Sequence, residues 1–137
     1  ILIGMMLFYH ITPTINMLWL PAFILLAVIT ALGVGLWFSA LLVMYRDVGY
    51  MLPFITQLWQ FLSPVVYATS MVPQKWRLLY SLNPMAGVVE GFRWAMLGTE
   101  QSISPVMVAI SAGISLTLFI TGLFFFRRME RVFADMI

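Results

Sequence analysis

The feature that most constrains this chain is a set of long apolar runs that carry no charge. Residues 17–44, 50–69 and 105–126 contain no Asp, Glu, Lys or Arg. Each run reaches the roughly 20 apolar residues that a helix needs to cross a bilayer. The whole chain is 63% hydrophobic and 9% charged, with a mean hydropathy of +1.02. The runs are continuous rather than alternating, which favours helices over strands. We therefore predict an all-α, polytopic bundle of transmembrane helices.

These runs organise residues 1–137 as a single transmembrane domain. We expect three full spans, at 17–44, 50–69 and 105–126, and the end of another span at 1–9. The chain starts inside an apolar run, with no start methionine and no charged segment before it, which predicts that an N-terminal part is missing.

The basic residues near the span ends predict the orientation. Arg127, Arg128 and Arg131 follow the last span, so the C-terminus is expected in the cytoplasm. Counting the spans backwards then places 45–49 inside and 70–104 outside. Lys75, Arg77 and Arg93 fall on the outer side, which makes the charge bias small.

A charged turn separates the first two full spans. It consists of Tyr45, Arg46 and Asp47. One interpretation is an anchor that holds the turn among the lipid headgroups. The other is a contact point for a cytoplasmic partner, because the added aspartate gives the turn a dipolar tip that can pair with another protein.

Small residues recur every four positions in two of the spans. The first ridge is Ala27, Ala31, Gly35 and Ser39, and the second is Ala109, Gly113, Thr117 and Thr121. Ridges of small side chains let membrane helices approach closely, so both predict helix packing rather than a particular function.

The span 50–69 carries a polar stripe. Gln57, Gln60, Ser63 and Tyr67 are spaced for one helix face, and Trp59 and Phe61 flank them. Amides facing lipid lack hydrogen-bond partners, so the stripe should face protein or water. It is either interhelical hydrogen-bonding glue or the lining of a translocation path.

The segment 70–104 is too broken to cross the membrane. Asn83-Pro84 reads as an N-cap and a first helical residue, followed by a short apolar helix that contains Glu90 and Arg93 at ion-pair spacing. With Trp76 and Trp94 as interfacial aromatics, the segment is predicted to form a re-entrant outer hairpin. The alternative is a helix lying flat on the outer surface with both charges solvated.

Catalytic and metal-binding signals are few. The chain has no cysteine and one histidine, His10, and it lacks a glycine-rich phosphate loop and paired carboxylates within a span. We expect no cofactor or metal on this chain, and any energy source on another one.

An ordered set of short motifs resembles the membrane subunit of ABC-2-type exporters, in the branch that exports O-antigen, capsule or teichoic acid chains. The motifs are Tyr45-Arg46-Asp47, Ser63-Pro64 with Tyr67, Val72-Pro73, Trp76-Arg77, Asn83-Pro84, and Glu90 through Trp94. The resemblance extends over nearly the whole chain, and the ordered set is specific although each motif alone is weak.

The resemblance implies a homodimer of six-span subunits in the bacterial inner membrane, with a separate ABC ATPase subunit that binds ATP and a lipid-linked glycan as substrate. This chain would hold the end of span three through span six. Span five of the family lines the path, which corresponds to Gln57, Trp59, Gln60, Phe61, Ser63 and Tyr67 here. An ABC-2 exporter of drugs or lipids is the nearest alternative. A membrane transferase and a non-transporting scaffold are the alternatives from other classes.

Overall fold

The structure is a computed structural model that describes residues 15–63, 80–98 and 104–134, together with Gly4, Phe8, Pro73, Lys75 and Trp76. A short 3-10 helix, Ile15–Trp19, leads into α1, Leu20–Met44. The other described helices are α2, Val48–Leu62, α3, Pro84–Leu97, and α4, Pro105–Ala134. The described part of the chain contains no strand, so the all-α prediction is confirmed.

Two of the described helical segments are long and apolar enough to cross a membrane. Ile15–Met44 has a mean hydropathy of 2.4 and Pro105–Arg131 one of 2.1. Many large apolar side chains on these segments are exposed, including Leu25 at 61% and Val106 at 61%. An apolar exterior of this extent suits contact with lipid or with other helices rather than water.

The helix ends follow local rules that the sequence predicted. Pro21 lies in the first turn of α1, where its missing N–H has no intrahelical partner to lose. Asn83 is the N-cap of α3, with Pro84 as the first helical residue, and its side-chain oxygen accepts a hydrogen bond from the Met85 N–H at 3.1 Å. α4 continues beyond the expected end at residue 126, and its 30 residues extend about 45 Å, more than the hydrocarbon core.

α1 and α4 pack side by side and run in the same direction. Thr30 on α1 lies against Ser115 on α4, with their hydroxyl oxygens 2.7 Å apart, and Trp37 lies farther along against Thr121, to which its indole N–H donates at 3.3 Å. The Trp37 ring also stacks on Phe125 at 4.6 Å between centroids. Because α1 and α4 run in the same direction, the chain must return across the bundle after α1 and before α4. This agrees with the predicted alternation of the spans.

Of the two predicted small-residue ridges, Thr121 takes part in the α1–α4 contact by accepting from the Trp37 indole N–H, but the two ridge glycines do not. Gly35 on α1 and Gly113 on α4 have no atom within 4 Å of the position of an added Cβ. Gly33 on α1 faces the backbone of Phe119, and Gly122 on α4 faces the Gly33 carbonyl oxygen. The helices therefore approach along a different face, and the predicted ridges remain mostly exposed in the described part of the chain.

α3 packs against both long helices, close to their N-terminal ends. Its buried residues are Pro84, Ala86, Gly87, Val88, Gly91 and Ala95. Gly87 contacts Ser111, which lies about 9 Å along α4 from Pro105, and Gly91 contacts the ring of Phe23 on α1. α3 therefore packs beside the first turns of both long helices, and the re-entrant hairpin and the helix lying on the surface both stay predictions.

Candidate functional site

Gln57 and Gln60 of the predicted polar stripe lie on α2, which is the least covered of the described helices. None of its residues is buried. Gln57 and Gln60 are exposed, as are Trp59 at 43% and Phe61 at 67%. Within the residues that the structure describes, the amides of Gln57 and Gln60 therefore remain available for contact with other groups.

An open cleft of about 400 Å³ separates α1 from α2. It is lined by Val34, Phe38, Ile55, Thr56, Trp59 and Gln60. The lining is mostly apolar, and the Thr56 hydroxyl donates to the Leu52 carbonyl of its own helix at 2.8 Å. The Gln60 side-chain amide is thus a polar group in the lining of a mostly apolar cleft.

The expected single helix over 50–69 is interrupted at Ser63, so the stripe is shorter than predicted. α2 ends at Leu62, and Ser63 has an extended backbone with φ −91° and ψ 139°. Pro64 follows, and a residue before proline is disfavoured in the α conformation. Because the helix ends at Leu62, helical spacing does not place Ser63 on the same helix face as Gln57 and Gln60. Tyr67 lies outside the described residues.

Ser63 is buried, with 5% of its surface exposed, and it belongs to a cluster of hydrogen bonds. We call this set the Asn83 cluster; its members are Ser63, Ser81, Asn83, Gly87 and Ser111. The Asn83 amide donates to the Leu62 carbonyl at 3.1 Å and to the Ser63 hydroxyl at 3.2 Å. The Ser111 hydroxyl accepts from the Gly87 N–H at 3.2 Å and donates to the Ser81 carbonyl at 3.3 Å. The cluster joins α2, α3 and α4.

Sequence reasoning identified Asn83 as an N-cap and missed its bonds to α2. Those bonds join residues 20 and 21 positions apart, and no local spacing rule predicts them. It also missed the packing face of α3, for which a signal was present. Gly87 and Gly91 are four residues apart, the spacing of the small residues at which membrane helices pack closely.

The predicted ion pair on α3 is present in the structure. Arg93 Nη1 lies 3.3 Å from Glu90 Oε1, and the two side chains are 31% and 16% exposed, respectively. Trp94 is half-buried beside them, whereas Trp76 is 59% exposed. The pair is neither fully solvated nor fully buried within the described part of the chain.

Tyr45, Arg46 and Asp47 form the turn between α1 and α2, as the sequence predicted. Backbone hydrogen bonds close this turn, with the Val48 N–H donating to the Tyr45 carbonyl at 3.1 Å and the Gly49 N–H donating to the Arg46 carbonyl at 3.2 Å. All three side chains are exposed. The turn is a compact, charged tip at the end of the bundle opposite to α3.

Among the residues that the structure describes, no group of three His, Cys, Asp or Glu side chains could hold a metal ion. What the described residues do present is an apolar exterior, two exposed glutamine amides on α2, a short helix packed against both long helices, and a charged turn. The fold and these surfaces define an all-α membrane protein, with two described helical segments long and apolar enough to span a bilayer.

Comparison with known proteins gives the family. Residues 1–97 match the family described as ABC-2 type transporter, and the chain belongs to that family. Two proteins of Klebsiella pneumoniae named O-antigen export system permease protein RfbA are similar to it. One is 26% identical over 130 residues, which cover 94% of this chain and 49% of the relative. The other is 25% identical over 138 residues, which cover 100% of this chain and 52% of the relative.

The chain therefore spans about half the length of the curated relatives that it matches. No solved structure matches it. The family match and these relatives confirm the resemblance to ABC-2 permeases of the polysaccharide export branch.

Proposed function

We propose that this chain is part of the membrane-spanning permease of an ATP-driven exporter that moves lipid-linked polysaccharide across the bacterial inner membrane. Its relatives are named as O-antigen export permeases, and its family is that of ABC-2 type transporters. The observation that carries the proposal is the exposed side of α2, where Gln57 and Gln60 have no partner among the described residues and the exposed Trp59 flanks them.

This face suits a path for sugar. A glutamine amide exposed to lipid leaves its donors and acceptor unsatisfied, at a cost of about 1–3 kcal/mol or more. A polysaccharide offers hydroxyl groups that can exchange hydrogen bonds with amides, and sugar C–H faces that can lie against aromatic rings. None of the residues of α2 carries a charge, which suits a polymer that must slide past rather than bind tightly.

The same proposal includes a second copy of the subunit, an ATPase and an orientation in the membrane. Two copies of the subunit form the complete path, with the α2 faces towards each other. A separate ABC ATPase subunit binds ATP and contacts the exposed turn at Tyr45, Arg46 and Asp47. The turn and the C-terminus lie in the cytoplasm, and α3 lies at the outer side.

Cysteine labelling tests the path. Because the chain contains no cysteine, single cysteines can be placed at Gln57 and Gln60 and compared with cysteines at Leu58 and Leu62. All four positions are exposed in the described structure, so only their surroundings in the membrane distinguish them. Small aqueous thiol reagents should label the two glutamine positions during turnover and should not label the two leucine positions.

Absence of labelling at all four positions would mean that α2 does not border an aqueous path, and would favour the scaffold alternative. The substrate needs a separate test. Deletion of the gene should abolish surface glycan and leave glycan in the cytoplasm, and Gln60→Leu should reduce export. Unchanged surface glycan with altered lipid or drug efflux would favour the other ABC-2 exporters.

A further inference from the structure

One side chain, Asn83, caps two helices at once. Its amide oxygen accepts from the Met85 N–H at 3.1 Å, which caps the N-terminus of α3. Its amide nitrogen donates to the Leu62 carbonyl at 3.1 Å, which satisfies a carbonyl at the C-terminus of α2. The second amide proton goes to the Ser63 hydroxyl at 3.2 Å. The amide oxygen and the amide nitrogen of Asn83 are therefore both hydrogen-bonded, the oxygen to α3 and the nitrogen to the end of α2.

The position of this side chain explains why both bonds matter. The last carbonyls of a helix have no intrahelical partners, and the hydrocarbon core of a bilayer has no water to replace them. Ser63 leaves the helical conformation before Pro64, so α2 needs an external donor at this point. Asn83 supplies that donor from the N-cap position of α3.

Ser111 connects α3 to α4. It is fully buried on α4, accepts from the Gly87 N–H of α3, and donates to the Ser81 carbonyl just before α3. A Cβ added at Gly87 would lie 2.5 Å from the Ser111 Cβ, so the two helices are in direct contact there. α3 and α4 thus form one packed unit, and Asn83 hydrogen-bonds this unit to the C-terminal end of α2.

We propose that Asn83 is a positioning residue for the export path: it sets the place of the α2 face relative to the unit formed by α3 and α4. This inference rests on the proposed function for its transport consequence, and on hydrogen bonds within the described residues for its geometry. α2 has few other contacts with the described helices and no buried residue, so the bonds at its C-terminal end are its main connection to α3.

Variants at position 83 separate the two capping roles. Asn83→Ser keeps a hydroxyl that can cap α3 but is too short to reach α2, and Asn83→Ala loses both functions. Thr117→Ala is the matched control, because the Thr117 hydroxyl is exposed and donates to the Gly113 carbonyl of its own helix at 2.7 Å.

The first readout does not depend on the substrate. A cysteine replaces Gln60 in the full subunit, assembled with its ATPase in native membranes, and its rate of reaction with an aqueous thiol reagent is measured. Since one net hydrogen bond shifts an equilibrium by about fivefold, Asn83→Ser should change this rate by about fivefold or more. Thr117→Ala should leave it unchanged. An unchanged rate in Asn83→Ser, with the subunit normally inserted, would overturn the proposal.

The second readout replaces the hydrogen bonds by a reversible covalent link. Ser63→Cys and Asn83→Cys are combined, because the native side chains already meet at 3.2 Å. The pair is closed by oxidation or by a short reducible thiol cross-linker. The N-cap is absent in both redox states, so their comparison isolates the connection to α2. Export should be high in the linked state and should fall on reduction.

Equal export in both states, or export that is blocked by the link, would overturn the positioning role. Failure of the proposed function gives a different result. If the wild-type subunit exports no glycan, the labelling rate at position 60 still reports on whether Asn83 positions α2.

Discussion

The close approach of α1 and α4 at Gly33 gives a prediction with a built-in control. A Cβ at Gly33 would lie 2.8 Å from the Phe119 backbone nitrogen and 3.0 Å from its Cα, and a contact of 3.4 Å would be ordinary. Backbone atoms of a helix cannot turn aside as a side chain can. In Gly33→Ala, α1 and α4 must therefore separate by at least about 0.6 Å, or α1 must rotate about its axis.

The expected cost follows from the type of contact. Overpacking a tight interface typically costs about 1–3 kcal/mol. Replacing glycine by alanine within a helix contributes about 1 kcal/mol in the opposite direction, through propensity. Gly35→Ala has the same propensity gain on the same helix, with nothing within 4 Å of the added Cβ. The difference between the two variants isolates the steric effect, at about 1–3 kcal/mol.

Thermal unfolding of the purified exporter in detergent or nanodiscs measures this difference. At about 2–4 °C per kcal/mol, the Tm of Gly33→Ala should lie about 2–12 °C below that of Gly35→Ala. A second pair on α4 repeats the comparison, since Gly122 faces the Gly33 carbonyl at 2.9 Å and Gly113 faces nothing within 4 Å. Equal Tm values within both pairs would refute the α1–α4 packing described above.

Three further predictions concern other contacts. Glu90→Gln should destabilise the subunit by about 1–3 kcal/mol, between the values for exposed and buried ion pairs, and adding Arg93→Gln should recover part of that loss in the same Tm assay. Replacing Arg46 and Asp47 together by Ala should reduce export and cross-linking to the ATPase without reducing membrane insertion; full export would leave only the anchor interpretation of the turn. Thr30→Val should lower the free energy of unfolding by about 0.6 kcal/mol through loss of its hydrogen bond to α4, and no change would mean that the contact contributes nothing.

Local sequence rules predicted much of the helical layout. The starts of α1 and α3, with Pro21 in the first turn and Asn83 as N-cap, depend on which backbone groups lack partners within a few residues. The turn at Arg46-Asp47 lies between two uncharged runs and is visible for the same reason. The break at Ser63 was also readable, because Pro64 restricts the residue before it, although the sequence was interpreted as one continuous span.

Packing faces were less accessible from the sequence. Gly33 and Gly35 lie two residues apart on α1, and either could belong to a ridge of small residues. In the structure Gly33 touches α4 and Gly35 touches nothing described. The choice depends on the matching positions of α4, which no spacing within α1 reveals.

By itself, the sequence determined that this protein is an all-α membrane protein, because uncharged apolar runs must satisfy their backbone hydrogen bonds internally as helices. It also determined where the polar groups of α2 lie, since helical spacing is a local property. Only the tertiary structure decided that α3 packs against both α1 and α4, and that the Asn83 amide connects α3 to the end of α2. The reason is physical: each of these contacts joins residues far apart in the chain, and its free energy depends on the shape and hydrogen-bonding groups of both partners together.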